Sequence, residues 1–291
     1  MPPMTSTPFS LPSLQKYSIS PLECQVHSMV VYSPNPLSIL HIYSAFALQW
    51  LSRVPEKILD KDSSAWNKGN IFYTTASDEV ANAYAAQFAE DMGKFLNYRA
   101  TEVLSGGLML LLIPTAPDEF HRFDMFGGWI YDALGSSLMD MAKEGLINES
   151  QVDSFNMPLY IVRPKEMVKL VEMNACFSIE KIEMTTPLLR IDEPINMDTC
   201  TTHIRAGNEK LIAEYFGNEI MDELFDRFYQ KVAKLSMVDS KYKENTIVHC
   251  SETQNDVNLE RNQHPHLVYS SLLWIICLLC ILSTFNKIWI N

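Results

Sequence analysis

The chain has 291 residues, 47% of them hydrophobic and 20% charged, with only 10 Gly and 15 Pro, which excludes a disordered, collagen-like or low-complexity protein. Its 23 Lys+Arg against 35 Asp+Glu give a net charge of −12, and because phosphate neutralisation needs a basic face, no nucleic-acid partner is expected. At roughly 150 residues per domain, the length predicts two domains, or one large α/β domain with an appendage.

Residues 1–37 are rich in Pro, Ser and Thr and carry no sustained helical or alternating period. Their start lacks a basic flank followed by an apolar core, so no secretory signal is read there. Residues 38–45 (SILHIYSA) are β-branched and apolar and predict a buried strand. Residues 48–54 predict a helix or turn stopped by Pro55, and 78–104 a long helix with apolar period ended by Gly106 and Gly107. The unbroken apolar run 108–113 (LMLLLI) predicts a strand buried on both faces of a parallel sheet. A helix over 130–144 closes at Gly145, then come a helix over 165–174 and a strand over 177–184. One or two amphipathic helices follow over 206–235, and a short strand over 245–249. Such alternation predicts an α/β fold with helices on the faces of a sheet. Residues 251–266 read as a polar linker, and 267–285 as a charge-free run of bilayer-spanning length. Of the six cysteines only Cys277 and Cys280 have C-x-x-C spacing, inside that apolar run, so neither a zinc site nor a disulfide framework is indicated and a reducing, cytoplasmic location fits.

Seven blocks carry more than periodicity. They are LHIYSAFALQWLSRVPEKI (40–58), AWNKGNI (65–71), AYAAQFAEDMGKFLNYRATEVLSGGLMLLL (83–112), LGSSLMDMAKEGLI (134–147), VDSFNMPLY (152–160), FSIEKIE (177–183) and IRAGNEKLIAEYFGNEIMDELFDRF (204–228). In this order they resemble the plant SABATH family of S-adenosylmethionine-dependent carboxyl methyltransferases, nearest its loganate-type branch, over residues 38–249. The resemblance implies a Rossmann-like methyltransferase sheet with an α-helical substrate cap, S-adenosylmethionine as methyl donor, a small carboxylic acid as substrate and a homodimer.

The family's donor-half blocks NDFNTLF and GSFHGRLFP do not stand in residues 1–37 as written. Shifted by one nucleotide, 3–14 can be written to read NDFNTLFASLP and 24–34 to read PGSFHGRLFP. The expectation is therefore that 1–37 is out of frame and not a domain, that 38–250 is the methyltransferase domain with its sheet incomplete at the N-terminus, and that the donor's glycine-rich loop and acidic residue are missing. The apolar run 267–285 is read either as a membrane anchor or as unspliced or mis-framed sequence.

Methyl transfer to a carboxylate needs no general base, because the nucleophile is already ionised at neutral pH; no catalytic residue is therefore named. By resemblance, Trp50 donates its indole N–H to the substrate carboxylate, where the bare residue type reads as a core Trp beside Leu48 and Leu51. Gln49 stands where many carboxyl-methylating members have His or Met and some xanthine N-methylating members have Gln, which leaves an N-methyltransferase open. Phe46 matches an aromatic position facing the substrate, and Trp129 to Tyr131 with Ile204 match the cap lining. Ala45 and Ala47 match donor contacts. Asn67, Asp153, Phe155 and Asn156 match an all-oxygen Mg2+ set, although Asp and Asn beside a turn into Pro158 equally suit a capped loop. Three readings stay open: a carboxyl methyltransferase, an inactive chain that dimerises with intact relatives, and a tail-anchored protein that has reused the domain.

Overall fold

The computed structural model describes residues 28–32, 39–185, 197–235 and 245–253. Most of 1–37, and all of 254–285 with its linker and apolar run, lie outside the described residues. Within 1–37 the described part is a strand, β1 (Ser28–Tyr32), although its sequence carried no alternating period.

Strand β2 (Ile39–Ala45) leads through a long loop to helix α1 (Asp78–Glu102) and strand β3 (Val103–Thr115), and β2 and β3 pair in parallel. This is the βαβ unit that a buried apolar strand after a long helix predicts. Helix α1 begins where Ser77 accepts a hydrogen bond from the Val80 N–H, with Asp78 and Glu79 in its first turn. Its buried stripe, Val80, Tyr84, Phe88, Met92 and Leu96, repeats every fourth residue. Gly106 and Gly107 do not end this helix. It stops at Glu102, Val103 is already extended, and the glycines lie within β3.

Helices α2 (Phe126–Lys143), α3 (Glu149–Ser154) and α4 (Pro164–Asn174) precede strand β4 (Phe177–Thr185). The predicted segment 206–235 is two helices, α5 (Met197–Phe216) and α6 (Met221–Leu235), separated at Gly217, whose φ is +95°. Strand β5 (Asn245–Thr253) runs past its predicted end at 249, so 251–253 belong to the sheet and not to a linker.

The sheet order is β1-β2-β3-β5-β4, with β2 and β3 its parallel pair and every other pairing antiparallel. The predicted all-round burial of 108–113 holds in part. Met109, Leu111 and Ile113 are fully buried and belong to one core cluster with Ile42, whereas Leu108 and Leu110 on the alternate face are half-buried. Helices α1 and α4 pack together, and α4 also packs on β4; α2, α3, α5 and α6 pack on one another as a helical group. The α6 stripe of Leu224, Phe225, Phe228 and Val232 is buried, each such side chain contributing on the order of 2 kcal/mol.

An aromatic block ties this core to the loops above the sheet. Tyr73 stacks on Tyr160 at 5.2 Å and lies 5.0 Å from Tyr84, and the Tyr84 hydroxyl donates to the Met157 carbonyl at 3.0 Å. Burial pushes the hydroxyls of Tyr73, Tyr84 and Tyr160 far above the usual tyrosine range. Tyr160 donates to both oxygens of Glu166 at 3.0 Å, and burial raises the Glu166 carboxyl against that bond and the Arg163 N–H. A raised folded-state value means that the native state holds the proton more tightly. The stabilisation is full below the ordinary glutamate range and is lost as pH rises through the raised value. Glu166→Gln keeps an acceptor for Tyr160 and removes the buried charge. Urea midpoints should therefore rise relative to the parent between about pH 4 and pH 7 and converge with it at the acid end.

Candidate active site

In open sheets containing parallel strands, ligands bind beyond the carboxyl ends of those strands. Here the ends of β2 and β3 are crossed by one segment. Trp50 pairs with Leu159, and Thr115 at the end of β3 pairs with Val162. The Ala116 N–H also donates to the Val162 carbonyl at 3.3 Å.

Between Ala45 and Leu51 the chain makes a turn with a strained entry. Phe46 has φ +49°, a left-handed conformation that costs a non-glycine residue about 1–2 kcal/mol. Its N–H donates to the Leu112 carbonyl at 2.9 Å, which carries the parallel ladder one residue past the strand. Trp50 N–H then reaches the Ala47 carbonyl at 3.2 Å, Leu51 N–H the Pro158 carbonyl at 2.8 Å, and Tyr160 N–H the Gln49 carbonyl at 2.9 Å. If the turn sets the backbone of position 46, the usual order of alanine above glycine reverses there. Phe46→Gly should be more stable than Phe46→Ala by about 1 kcal/mol in chemical denaturation.

The Gln49 side-chain Nε2 donates to the Phe46 carbonyl at 2.8 Å, and only the amide nitrogen can make that bond. The other end is thereby fixed: Oε1 is a buried acceptor with no partner among the described residues. Ala45 and Ala47, which flank Phe46 in the chain, are both buried. A ligand group bearing its own donor, such as an ammonium or a hydroxyl, fits the Gln49 oxygen.

The cap positions separate. Tyr131 on α2 packs 4.8 Å from Phe72, and its hydroxyl donates to Asn208 Oδ1 at 3.4 Å, while Asn208 Nδ2 donates to the Ile204 carbonyl at 2.7 Å. Ile204 on α5 is thus joined to α2 through Tyr131. Trp129 is two residues away and about 200° round the helix. It lines a cleft of about 390 Å³ with Asp132, Ala133, Ser136, Lys231 and Lys234, between α2 and α6. Burial raises the Asp132 carboxyl there, opposed by a hydrogen bond from Thr75 at 2.8 Å.

The four residues of the Mg2+ set lie along one loop closure. Asn67 Nδ2 donates to Asn156 Oδ1 at 2.6 Å and to the Phe72 carbonyl at 3.3 Å, and Asp153 Oδ1 accepts from the Gly69 N–H at 3.0 Å. Asn67, Phe155 and Asn156 are buried. Among the described residues, the acceptor Asn67 Oδ1 and the donor Asn156 Nδ2 find no partner. A hard cation satisfies the first, whereas one water satisfies both. Among the described residues no cluster of three or more His, Cys, Asp or Glu side chains is placed to hold a metal. No helix among them is long and apolar enough to cross a membrane.

Residues 34–253 match the model of a family described as SAM dependent carboxyl methyltransferase. Loganic acid O-methyltransferase of Catharanthus roseus is 40% identical over 197 residues, covering 67% of this chain and 52% of that protein. Farnesoic acid carboxyl-O-methyltransferase of Arabidopsis thaliana is 33% identical over 201 residues (69% and 57%). A 3,7-dimethylxanthine N-methyltransferase of Camellia sinensis var. assamica is 33% identical over 199 residues (66% and 54%). A solved structure of loganic acid methyltransferase with SAH superposes with a TM-score of 0.73 at 34% identity, covering 77% of this chain and 64% of that one. The chain therefore spans little more than half the length of these curated relatives. The β2 strand and the left-handed Phe46 after it, the turn that carries Trp50 and the helical group all fall within the matched residues, and the chain belongs to the family of S-adenosylmethionine-dependent carboxyl methyltransferases.

Proposed function

We propose that this chain serves methyl transfer from S-adenosylmethionine to the carboxylate of a small plant acid of iridoid, terpenoid or benzenoid type. The observation that carries the reading is the strained Phe46 turn, which sets Gln49 and Trp50 beyond the carboxyl end of the β2–β3 pair. The methyl donor supplies an activated sulfonium methyl. The chain's own part is to bind and to orient. The Trp50 indole N–H is a donor that cannot act as a nucleophile, suited to holding one carboxylate oxygen while the other faces the methyl group. Phe46, Tyr131 and Ile204 supply apolar walls that exclude water, and Ala45 with Ala47 lets a donor lie against the strand end. Attack by the carboxylate oxygen forms the ester C–O bond as the methyl–sulfur bond breaks, its electron pair leaving on sulfur as a neutral thioether. No proton moves.

Isothermal titration of the full chain with S-adenosylhomocysteine, followed by transfer of labelled methyl to a panel of carboxylic acids, tests this. Micromolar binding with ester formation supports it. Absence of binding overturns it in favour of an inactive chain that pairs with intact relatives. A transfer product on a ring nitrogen would instead favour the N-methylating branch, for which the acceptor oxygen of Gln49 speaks. Homodimerisation and a cytoplasmic location belong to the same reading, and sedimentation tests the former. The unpartnered Asn67 oxygen favours, as a second reading, a Mg2+ held with Asp153, Phe155 and Asn156. A melting temperature that rises with MgCl2 and not with NaCl would support it.

A further inference from the structure

Asp91 stands in the middle of α1, where aspartate is a poor helix former and no helix end is near to favour its charge. Its carboxylate is nonetheless fully engaged. Oδ2 accepts from the Ser52 N–H at 2.8 Å, and Oδ1 accepts from Ser52 Oγ at 2.7 Å and from Gln87 Nε2 at 3.0 Å. Gln87, one helical turn earlier and buried, also donates to Ser52 Oγ at 3.4 Å, and its Oε1 accepts from Arg53 Nε at 3.0 Å. One turn of α1 therefore grips the two residues that directly follow Trp50 and Leu51. The opposite side of the same stretch is held by main-chain bonds, Leu51 to Pro158 and Tyr160 to Gln49. The Trp50 backbone is clamped between a loop and a helix, and the helical jaw is built of side chains.

We propose that Asp91, acting through Ser52, is a positioning residue that fixes the Trp50 turn for acid binding. The acid-binding part rests on the reading of Trp50 given above; the clamping of the turn does not. Orientation matters because displacing a binding group by about 1 Å can cost a hundredfold in rate.

The test uses the full chain with two readouts. Hydrogen exchange followed by mass spectrometry reads residues 46–53 against α1. Titration with benzoate, in the presence of S-adenosylhomocysteine, reads the site. Asp91→Ala should speed exchange in 46–53 by about tenfold and weaken benzoate by a similar factor, as loss of charge-assisted hydrogen bonds does. Exchange across Tyr84 to Phe88 should stay unchanged. Asp91→Asn, which keeps an acceptor for the Ser52 N–H but loses the charge and turns its NH2 toward the Gln87 amide, should lose part of both properties and less than Asp91→Ala. Ser52→Ala, an exposed substitution safe for folding, should give an intermediate loss. Unchanged exchange in 46–53, or exchange accelerated equally along all of α1, overturns the clamp. If the parent chain does not bind benzoate, or Trp50→Phe binds it equally well, the reading of Trp50 fails and Asp91's part in acid binding with it. The exchange data still decide whether Asp91 holds the turn.

Discussion

Trp50→Phe is expected to weaken carboxylate binding by about 10- to 100-fold while moving the melting temperature little. The argument separates the ring from its one polar atom. Phenylalanine keeps an aromatic ring at position 50, and neither the main-chain Trp50–Leu159 bridge nor the other main-chain bonds of the turn depend on the side chain there. What disappears is a single N–H donor. Hydrogen bonds to a charged partner contribute about 1.5–3 kcal/mol net, which sets the range above. Trp50 is half-buried and packs against the core without belonging to it, so the cost of truncation in stability is small. Calorimetric titration with a carboxylic acid, beside a thermal melt of the same samples, checks both halves. A variant that binds as tightly as its parent would mean that Trp50 is a packing residue. A variant that loses binding and several degrees of melting temperature together would mean the same.

Gln49 pulls in the other direction. Its oxygen faces away from the Phe46 carbonyl and offers only lone pairs, which a carboxylate cannot use. An acceptor beside a donor suits an acid that carries a hydroxyl or N–H near its carboxylate, and it keeps N-methylated heterocycles in view as substrates of the same turn.

The elements of the fold were largely legible because each is written locally. Ser77 with a buried stripe at Val80, Tyr84, Phe88, Met92 and Leu96 defines α1 within two residues at its end. Gly145, with φ +79°, closes the segment that begins with α2 as its sequence indicated. What escaped is long-range. Nothing near Phe46 announces a left-handed phenylalanine, since the conformation follows from the register of β2 on β3 and from the segment 158–162 that crosses both. Asp91 and Ser52 are 39 positions apart and Asn67 and Asn156 are 89 apart, so only the fold joins them. The cap shows the limit of resemblance as well. It pointed to 129–131 as a block, whereas a helix turns Trp129 toward α6 and Tyr131 toward Asn208 and Ile204. The signal available was the pair of apolar residues around Tyr131 in the stripe of α2, Ile130 and Leu134, both buried.

Gly128→Ala is expected to be the most damaging of three glycine-to-alanine substitutions, by about 3 kcal/mol, and the comparison explains how the cap is seated. A Cβ at Gly128, in the first turn of α2, would lie 2.6 Å from Thr74 Oγ1, 2.7 Å from its Cβ and 2.8 Å from its Cγ2. Thr74 cannot retreat. It is fully buried, its carbonyl accepts from Arg122 Nε, and its neighbours are held by Asn67 and by Asp132. Overpacking of this kind costs about 1–3 kcal/mol, and the contact with two side-chain carbons and an oxygen places it at the upper end. At Gly135 in the middle of α2 an added Cβ would meet Ile71 Cγ1 at 3.0 Å, a tighter contact than usual that roughly offsets the gain of about 1 kcal/mol in helix propensity. At Gly93 in α1 nothing among the described residues lies within 4 Å, so alanine should stabilise by about 0.5–1 kcal/mol. The order Gly93→Ala above parent, Gly135→Ala near parent and Gly128→Ala well below it, read from urea midpoints at neutral pH, would show that α2 rests backbone-to-side-chain on the loop beneath it. Because the same helix presents Tyr131 to Asn208, a helix pushed off Thr74 also shifts the wall proposed above for the acid, and on that reading Gly128→Ala should weaken acid binding at temperatures where the variant is still folded.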